Sequence, residues 1–146
     1  MQIIESTGNV FDLDKKYTLM CCISQDCAMG RGIAVKFQNR FNVRKPLIKY
    51  IHDNNISYPT ALLCKFNHCN NIICLITKQH YYNKPTYKSF ISAIDSAVDI
   101  CINENIRFIG TYRLGCHLDK LKWEKVKSIL QDKFKSLDII IEVKEP

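Results

Sequence analysis

The sequence predicts a layered α/β domain built on a mixed sheet, and three observations carry that reading. Six apolar runs of strand length alternate with stretches of helical periodicity. Two of the runs are joined by the polar turn Phe66-Asn67-His68-Cys69-Asn70-Asn71, which makes a hairpin and so an antiparallel pair in an otherwise crossover-connected sheet. At 146 residues the chain fills one domain, 1–146, and its 47% hydrophobic content is that of a globular protein with a continuous core.

In order along the chain, strands are expected at Gln2–Glu5, Tyr17–Ser24, Thr60–Phe66, Asn71–Thr77, Arg107–Thr111 and Asp138–Val143. Helical patterns fall at Ile33–Phe41 and Pro46–Asn54, interrupted by Asn42 and Pro46. A third covers Thr86–Asn105, where Phe90, Ile94, Ala97, Val98 and Cys101 recur at helical spacing. The last is the clearest, with Trp123, Val126, Ile129, Leu130 and Phe134 on one face and lysines on the other.

Bulk properties narrow the function classes. The N-terminus turns polar too soon for a signal peptide, and no apolar run approaches the ~20 residues of a spanning helix, so no membrane association is expected and the protein is expected in the cytoplasm or nucleus. Several of the eight cysteines, Cys21, Cys22 and Cys74 among them, sit inside strand runs as small hydrophobes, which reads as reduced thiols rather than a disulfide framework. Cys64, Cys69 and Cys74, with His68 and His80 nearby, lack the paired two-residue knuckles of a structural zinc site, and no metal or cofactor is expected. A formal charge of +7 favours a polyanionic partner, although lysines on solvated helix faces would give the same count.

Ligands of such sheets gather where strand ends meet helix starts. One such loop follows the second strand: Gln25-Asp26-Cys27-Ala28-Met29-Gly30-Arg31-Gly32-Ile33-Ala34 runs into a helix, and its two glycines let amides approach a phosphate. It reads equally well as a plain connection. A second, Thr111-Tyr112-Arg113-Leu114-Gly115-Cys116-His117-Leu118-Asp119, also leads to a helix. Its Asp119 fits a helix N-cap as well as it fits chemistry. Lys78 ends a buried-looking strand, and a partly desolvated lysine there is a candidate nucleophile toward an aldehydic sugar carbon, whereas alone it reads as a solvated side chain.

Taken together, Gly8-Asn9-Val10-Phe11, Cys22-Ile23-Ser24 continuing through Ala34, Leu75-Ile76-Thr77-Lys78, Lys84-Pro85-Thr86-Tyr87 and Arg113 through Asp119 with Trp123-Glu124 resemble the macrodomains, specifically the branch of terminal ADP-ribose protein glycohydrolase and bacterial DNA-ADP-ribosyl glycohydrolases. The resemblance implies a three-layer α/β/α fold with a mixed sheet of about six strands and an ADP-ribose cleft at its crest. It implies Asn9 and Val10 at the adenine end, Cys22, Ile23, Ser24 and the Met29-Gly30-Arg31-Gly32-Ile33 loop on one wall, and Thr111 with Arg113, Leu114, Gly115, Cys116, His117 and Leu118 on the other, with Pro146 closing over the ligand. It further implies Lys78 as nucleophile and Asp119 as acid/base in removing ADP-ribose from carboxylate esters. ADP-ribosylated DNA bases are the alternative substrate, and a non-catalytic ADP-ribose reader or a plain nucleic-acid-binding module are alternatives without that chemistry. The expected partners are ADP-ribose or ADP-ribosylated protein, with ADP-ribosylated nucleic acid as the other, and the chain is expected to be a monomer. Asn9 stands where the family has aspartate, His117 where it has glycine, and Lys144 where its glycohydrolases place an aromatic ring.

Overall fold

The computed structural model describes residues 1–146, and its architecture follows from where the apolar runs can be buried. Six strands, β1 (Gln2–Thr7), β2 (Thr18–Ser24), β3 (Thr60–Cys64), β4 (Ile72–Lys78), β5 (Phe108–Thr111) and β6 (Ile140–Glu145), form one sheet in the order β1-β6-β5-β2-β4-β3. All neighbours are parallel except β3 on β4, so the hairpin expected from the Phe66–Asn71 turn is present and makes the sheet mixed. Asn71 caps that turn by accepting from the Phe66 amide at 2.9 Å. Asn70 donates to the carbonyls of Asp14 (2.8 Å) and Tyr17 (3.0 Å), tying the turn to the start of β2.

Burial explains the sequence pattern. The interior strands β2 and β4 read as continuous apolar runs because both of their faces are covered. Helices α1 (Gly32–Phe41) and α2 (Arg44–Asp53) lie in the β2-to-β3 connection, α3 (Tyr87–Asn103) joins β4 to β5, and α4 (Trp123–Phe134) joins β5 to β6. The β4-to-β5 and β5-to-β6 crossovers join parallel strands and step the same way across the sheet, so right-handed connections put α3 and α4 on one face, where they pack together, while α1 packs on β2. Phe37, Phe90 and Phe134 are fully buried anchors of α1, α3 and α4.

Most boundaries moved by one or two residues. Two differences have physical reasons. Helix α2 starts at Arg44 rather than at Pro46, because a proline in the first turn sacrifices an amide that has no intrahelical acceptor anyway. A short 3-10 turn at Val10–Asp12, capped by Asn9 Oδ1 accepting from the Phe11 amide at 3.0 Å, carries no apolar periodicity that would have announced it. No helix is long and apolar enough to cross a membrane.

Candidate functional site

The site opens where the sheet parts. β2 and β5 are paired only at Thr18–Ile109 and Leu19–Gly110. Beyond that point side chains hold them: Thr111 Oγ1 donates to the Met20 carbonyl at 2.8 Å, and the Tyr112 hydroxyl accepts from the Cys22 amide at 3.1 Å. β5, β2 and β4 are parallel neighbours, so Thr111, Ser24 and Lys78 end on the same rim. The connection after β2 leads toward one edge of the sheet and that after β5 toward the other, so this crevice is the switch point at which ligands of such sheets bind. The cleft there has a volume of about 560 Å³.

Its two walls are the loops after β2 and β5. The first continues past Ser24 by pairing with β4, since the Gln25 amide donates to the Lys78 carbonyl at 2.9 Å. Asp26 then organises the turn, accepting from the Ser24 hydroxyl, the Ala28 amide at 3.2 Å and the Tyr81 amide at 3.0 Å. Partial burial works to raise the Asp26 carboxyl, but these hydrogen bonds outweigh it and hold the group below the usual carboxylate range. Gly32, the first residue of α1, has a φ of 58°, and a Cβ there would stand 3.1 Å from Leu118 Cδ1 of the opposite loop. The walls therefore meet at a point only glycine can occupy without strain. Gly115, at φ 69°, lets the second loop fold over Leu121.

Lys78 and Asp119 come together inside the cleft. The Lys78 Nζ donates to Asp119 Oδ1 at 2.7 Å, and the two side chains are only 14% and 12% exposed. The N-cap reading of Asp119 is overturned: α4 begins at Trp123 with Lys122 at the cap, and the left-handed backbone of Lys120 (φ 64°) separates Asp119 from the helix. Two cysteines near the pair are poor competitors as nucleophiles. Burial pushes the Cys22 thiol well up, with the Asp119 carboxylate adding to the effect, and burial raises the Cys116 thiol to about 11. No group of three or more His, Cys, Asp or Glu side chains is placed to hold a metal ion.

No family model matches the sequence. Among solved structures, the macrodomain of Thermus aquaticus DarG superposes with a TM-score of 0.88 over 99% of both chains at 19% identity. Thermosipho africanus DarTG in complex with ADP-ribose superposes with a TM-score of 0.85 at 21% identity, covering 99% of this chain and 42% of that one. These likenesses concern the fold. Over 136 residues, 93% of this chain and 86% of the relative, the sequence is 33% identical to the ADP-ribose glycohydrolase OARD1 of Homo sapiens, and equally to that of Bos taurus. The chain belongs to the macrodomain family.

The macrodomain cleft gathers most, but not all, of the residues singled out from the sequence. Cys22, Ile23, Ser24, Met29 through Ile33, Lys78, Gly115, His117, Leu118 and Asp119 line it. Seven others lie outside the lining. Thr111 and Leu114 are fully buried and hold the loop from beneath. Cys116 turns inward, its thiol donating to the Leu114 carbonyl at 3.3 Å. Arg113 faces away toward Glu145 and Glu5, at 3.7 and 4.0 Å, with its guanidinium 5.8 Å from the Trp123 ring. Val10 is packed in the core, Asn9 caps the turn after β1, and Pro146 is exposed just past β6. These last three still share the rim, because β1 and β6 run parallel to β5.

Sequence reasoning missed six lining residues of this macrodomain: the small Ala28 and Ala34 within the first loop, and Tyr81, Tyr82, Lys84 and Tyr112. Tyr81 and Tyr82 stand 58% and 66% exposed beside the end of β4, and the Lys84 ammonium donates to the Leu118 carbonyl across the cleft. Lys84 lay in a motif already noted, and the adjacent pair Tyr81-Tyr82 in a polar loop was the available signal for the aromatics.

Proposed function

We propose that this macrodomain binds ADP-ribose along its sheet crest and hydrolyses the bond joining the distal ribose to a carboxylate, with Lys78 as nucleophile and Asp119 as acid/base. The observation that carries the reading is the shielded 2.7 Å contact between the two side chains at the floor of the cleft. A lysine that only solubilised a strand end would not be 14% exposed against an aspartate from another loop. The shape of the rim supports an elongated ligand. From the end of β1 to the end of β4 there are four inter-strand steps, roughly 19 Å at about 4.8 Å each. Asn9, Val10 and Pro146 lie at one extreme for the adenine, and Lys78 at the other for the distal ribose. Between them the start of α1, with Gly30, Arg31 and Gly32, supports a diphosphate through amides, helix dipole and guanidinium, with Gly115 through Leu118 opposite.

In the proposed reaction Asp119 takes a proton from Lys78, leaving a neutral amine. Its lone pair attacks the anomeric carbon as the C–O bond to the acyl group breaks and the carboxylate leaves. Asp119 releases that proton to solvent and then passes one proton of the new ammonium to the ring oxygen, the sugar opens to a protonated imine on Lys78, and a water deprotonated by Asp119 adds to it. Departure of the amine gives the free aldehyde, which closes to ADP-ribose, and the residue pair returns to its starting state.

The test is to incubate wild type, Lys78→Ala and Asp119→Ala with a glutamate-linked ADP-ribosyl protein, and to follow Lys78 by mass spectrometry for a reduced sugar adduct. Release by wild type alone, with the adduct trapped, is the expected result. Equal release by all three would sink the lysine mechanism. Calorimetric ADP-ribose binding with no release by any of them would make the protein a reader, and release only from ADP-ribosylated DNA would move the substrate.

A further inference from the structure

The positive charge is not spread over the molecule. From Cys27 to His52 the chain carries Arg31, Lys36, Arg40, Arg44, Lys45 and Lys49 and not one Asp or Glu. All six are exposed, on the α1–α2 layer. Neither helix has an acidic residue in its first turn, and α2 begins with Arg44 and Lys45 against its own dipole, an arrangement that costs stability. Arg31, Lys36, Arg40 and Lys45 form no ion pair, Lys49 pairs with Asp53 at 2.6 Å, and the Arg44 Nε donates to the Cys27 carbonyl. Outside that segment the chain's other 15 Lys and Arg face all 14 of its Asp and Glu, and several lysines are paired: Lys133 with Asp95 at 3.1 Å, Lys127 with Glu5 at 2.7 Å, Lys65 with Glu104 at 3.1 Å. The same layer exposes Tyr50 (52%) and Ile48 (39%), an aromatic and an aliphatic side chain among cations.

We infer that the outer face of α1 and α2 is a docking surface for the backbone of a single-stranded nucleic acid. Unpaired cations without intervening acids neutralise phosphates and release their counterions. The exposed Tyr50 ring offers a base a stacking platform, which an acidic polypeptide would not use. The surface reaches the cleft through Arg31, at the start of α1, so a strand held there passes the cleft mouth. The inference is independent of which bond the cleft cleaves.

Fluorescence anisotropy with a labelled single-stranded oligonucleotide, from 50 to 200 mM salt, tests it on three proteins. These are wild type, a Lys36→Glu/Arg40→Glu/Lys45→Glu triple variant, and a charge-matched control, Lys88→Glu/Lys125→Glu/Lys135→Glu, on α3, in the first turn of α4 and at its C-terminal cap. The α1–α2 triple is expected to bind more than tenfold more weakly at low salt, and its slope of log K against log salt to fall by about 2, since each lost single-strand phosphate contact removes about 0.7. The control is expected to keep the wild-type slope, and Tyr50→Ala to weaken binding several-fold with the slope unchanged. Equal losses in both triples, wild-type affinity in the first, or competition by polyglutamate as effective per charge as by oligonucleotide would each overturn the inference. Release of ADP-ribose from a short modified peptide, measured on the same proteins, separates the readings. Its retention in the α1–α2 triple shows the cleft intact, and its absence from wild type would refute the hydrolase without touching the binding result.

Discussion

Replacing Lys78 by methionine would strand the Asp119 carboxylate in a cleft where it is 12% exposed, and replacing Asp119 by leucine would strand the Lys78 ammonium at 14% exposure. Breaking a buried pair from one side costs about 3–5 kcal/mol, and the residual exposure places each single variant near about 3 kcal/mol. For a chain of this length that is a fall in melting temperature of roughly 6–12 °C. The double variant Lys78→Met/Asp119→Leu leaves no orphaned charge and replaces the pair with apolar groups, so its cost should be far less than the two singles together. Differential scanning calorimetry of the four proteins closes the cycle, and ADP-ribose release measured in parallel should fall to one common floor in all three variants. If the stability losses add within about 0.5 kcal/mol, or if any variant keeps the wild-type rate, the two residues do not act as a unit and the reasoning fails.

Three further outcomes are expected. Asp26→Asn should loosen the loop after β2 and weaken ADP-ribose binding by calorimetry. Because the folded carboxyl is held below its unfolded range, its stabilisation is present above about pH 4 and is lost as pH falls through the folded value, so the stability gap between wild type and Asp26→Asn should shrink on acidification, and a constant gap would contradict this. Gly32→Ala should cost about 1–2 kcal/mol from the left-handed backbone alone and should also push the Leu118 side chain away, seen as a lowered melting temperature with weaker ligand binding. Tyr112→Phe removes the acceptor of the Cys22 amide where β2 and β5 part, and should cost about 1–3 kcal/mol in urea unfolding with no change in m-value.

The fold was legible because burial leaves a periodic trace. Continuous runs such as Ile72–Ile76 can only be interior strands, the spacing of Val126, Leu130 and Phe134 can only be one helix face, and the turn at Phe66–Asn71 required an antiparallel pair. The two loops of the site were legible for a related reason, since glycines before a helix mark close backbone approach. What left no trace was side-chain direction within those loops. Arg113, Thr111 and Cys116 belong to the same segment as His117 and Leu118, yet the first group turns to Glu145, Met20 and Leu114 while the second lines the cleft.

By itself the sequence determined the strands, the helices and the loops that would carry chemistry, because those depend on local pattern and on what can be buried. Local pattern left Lys78 and Asp119 as a strand-end lysine and a helix cap, 41 residues apart, and only the family resemblance joined them as a pair. Only the tertiary structure, by setting β4 beside β2 and starting α4 at Trp123, brought them to 2.7 Å in a shielded cleft. The reason is physical: a pair distant in sequence has no local signature, and its environment is created by the sheet order and the close packing of two loops around Gly32.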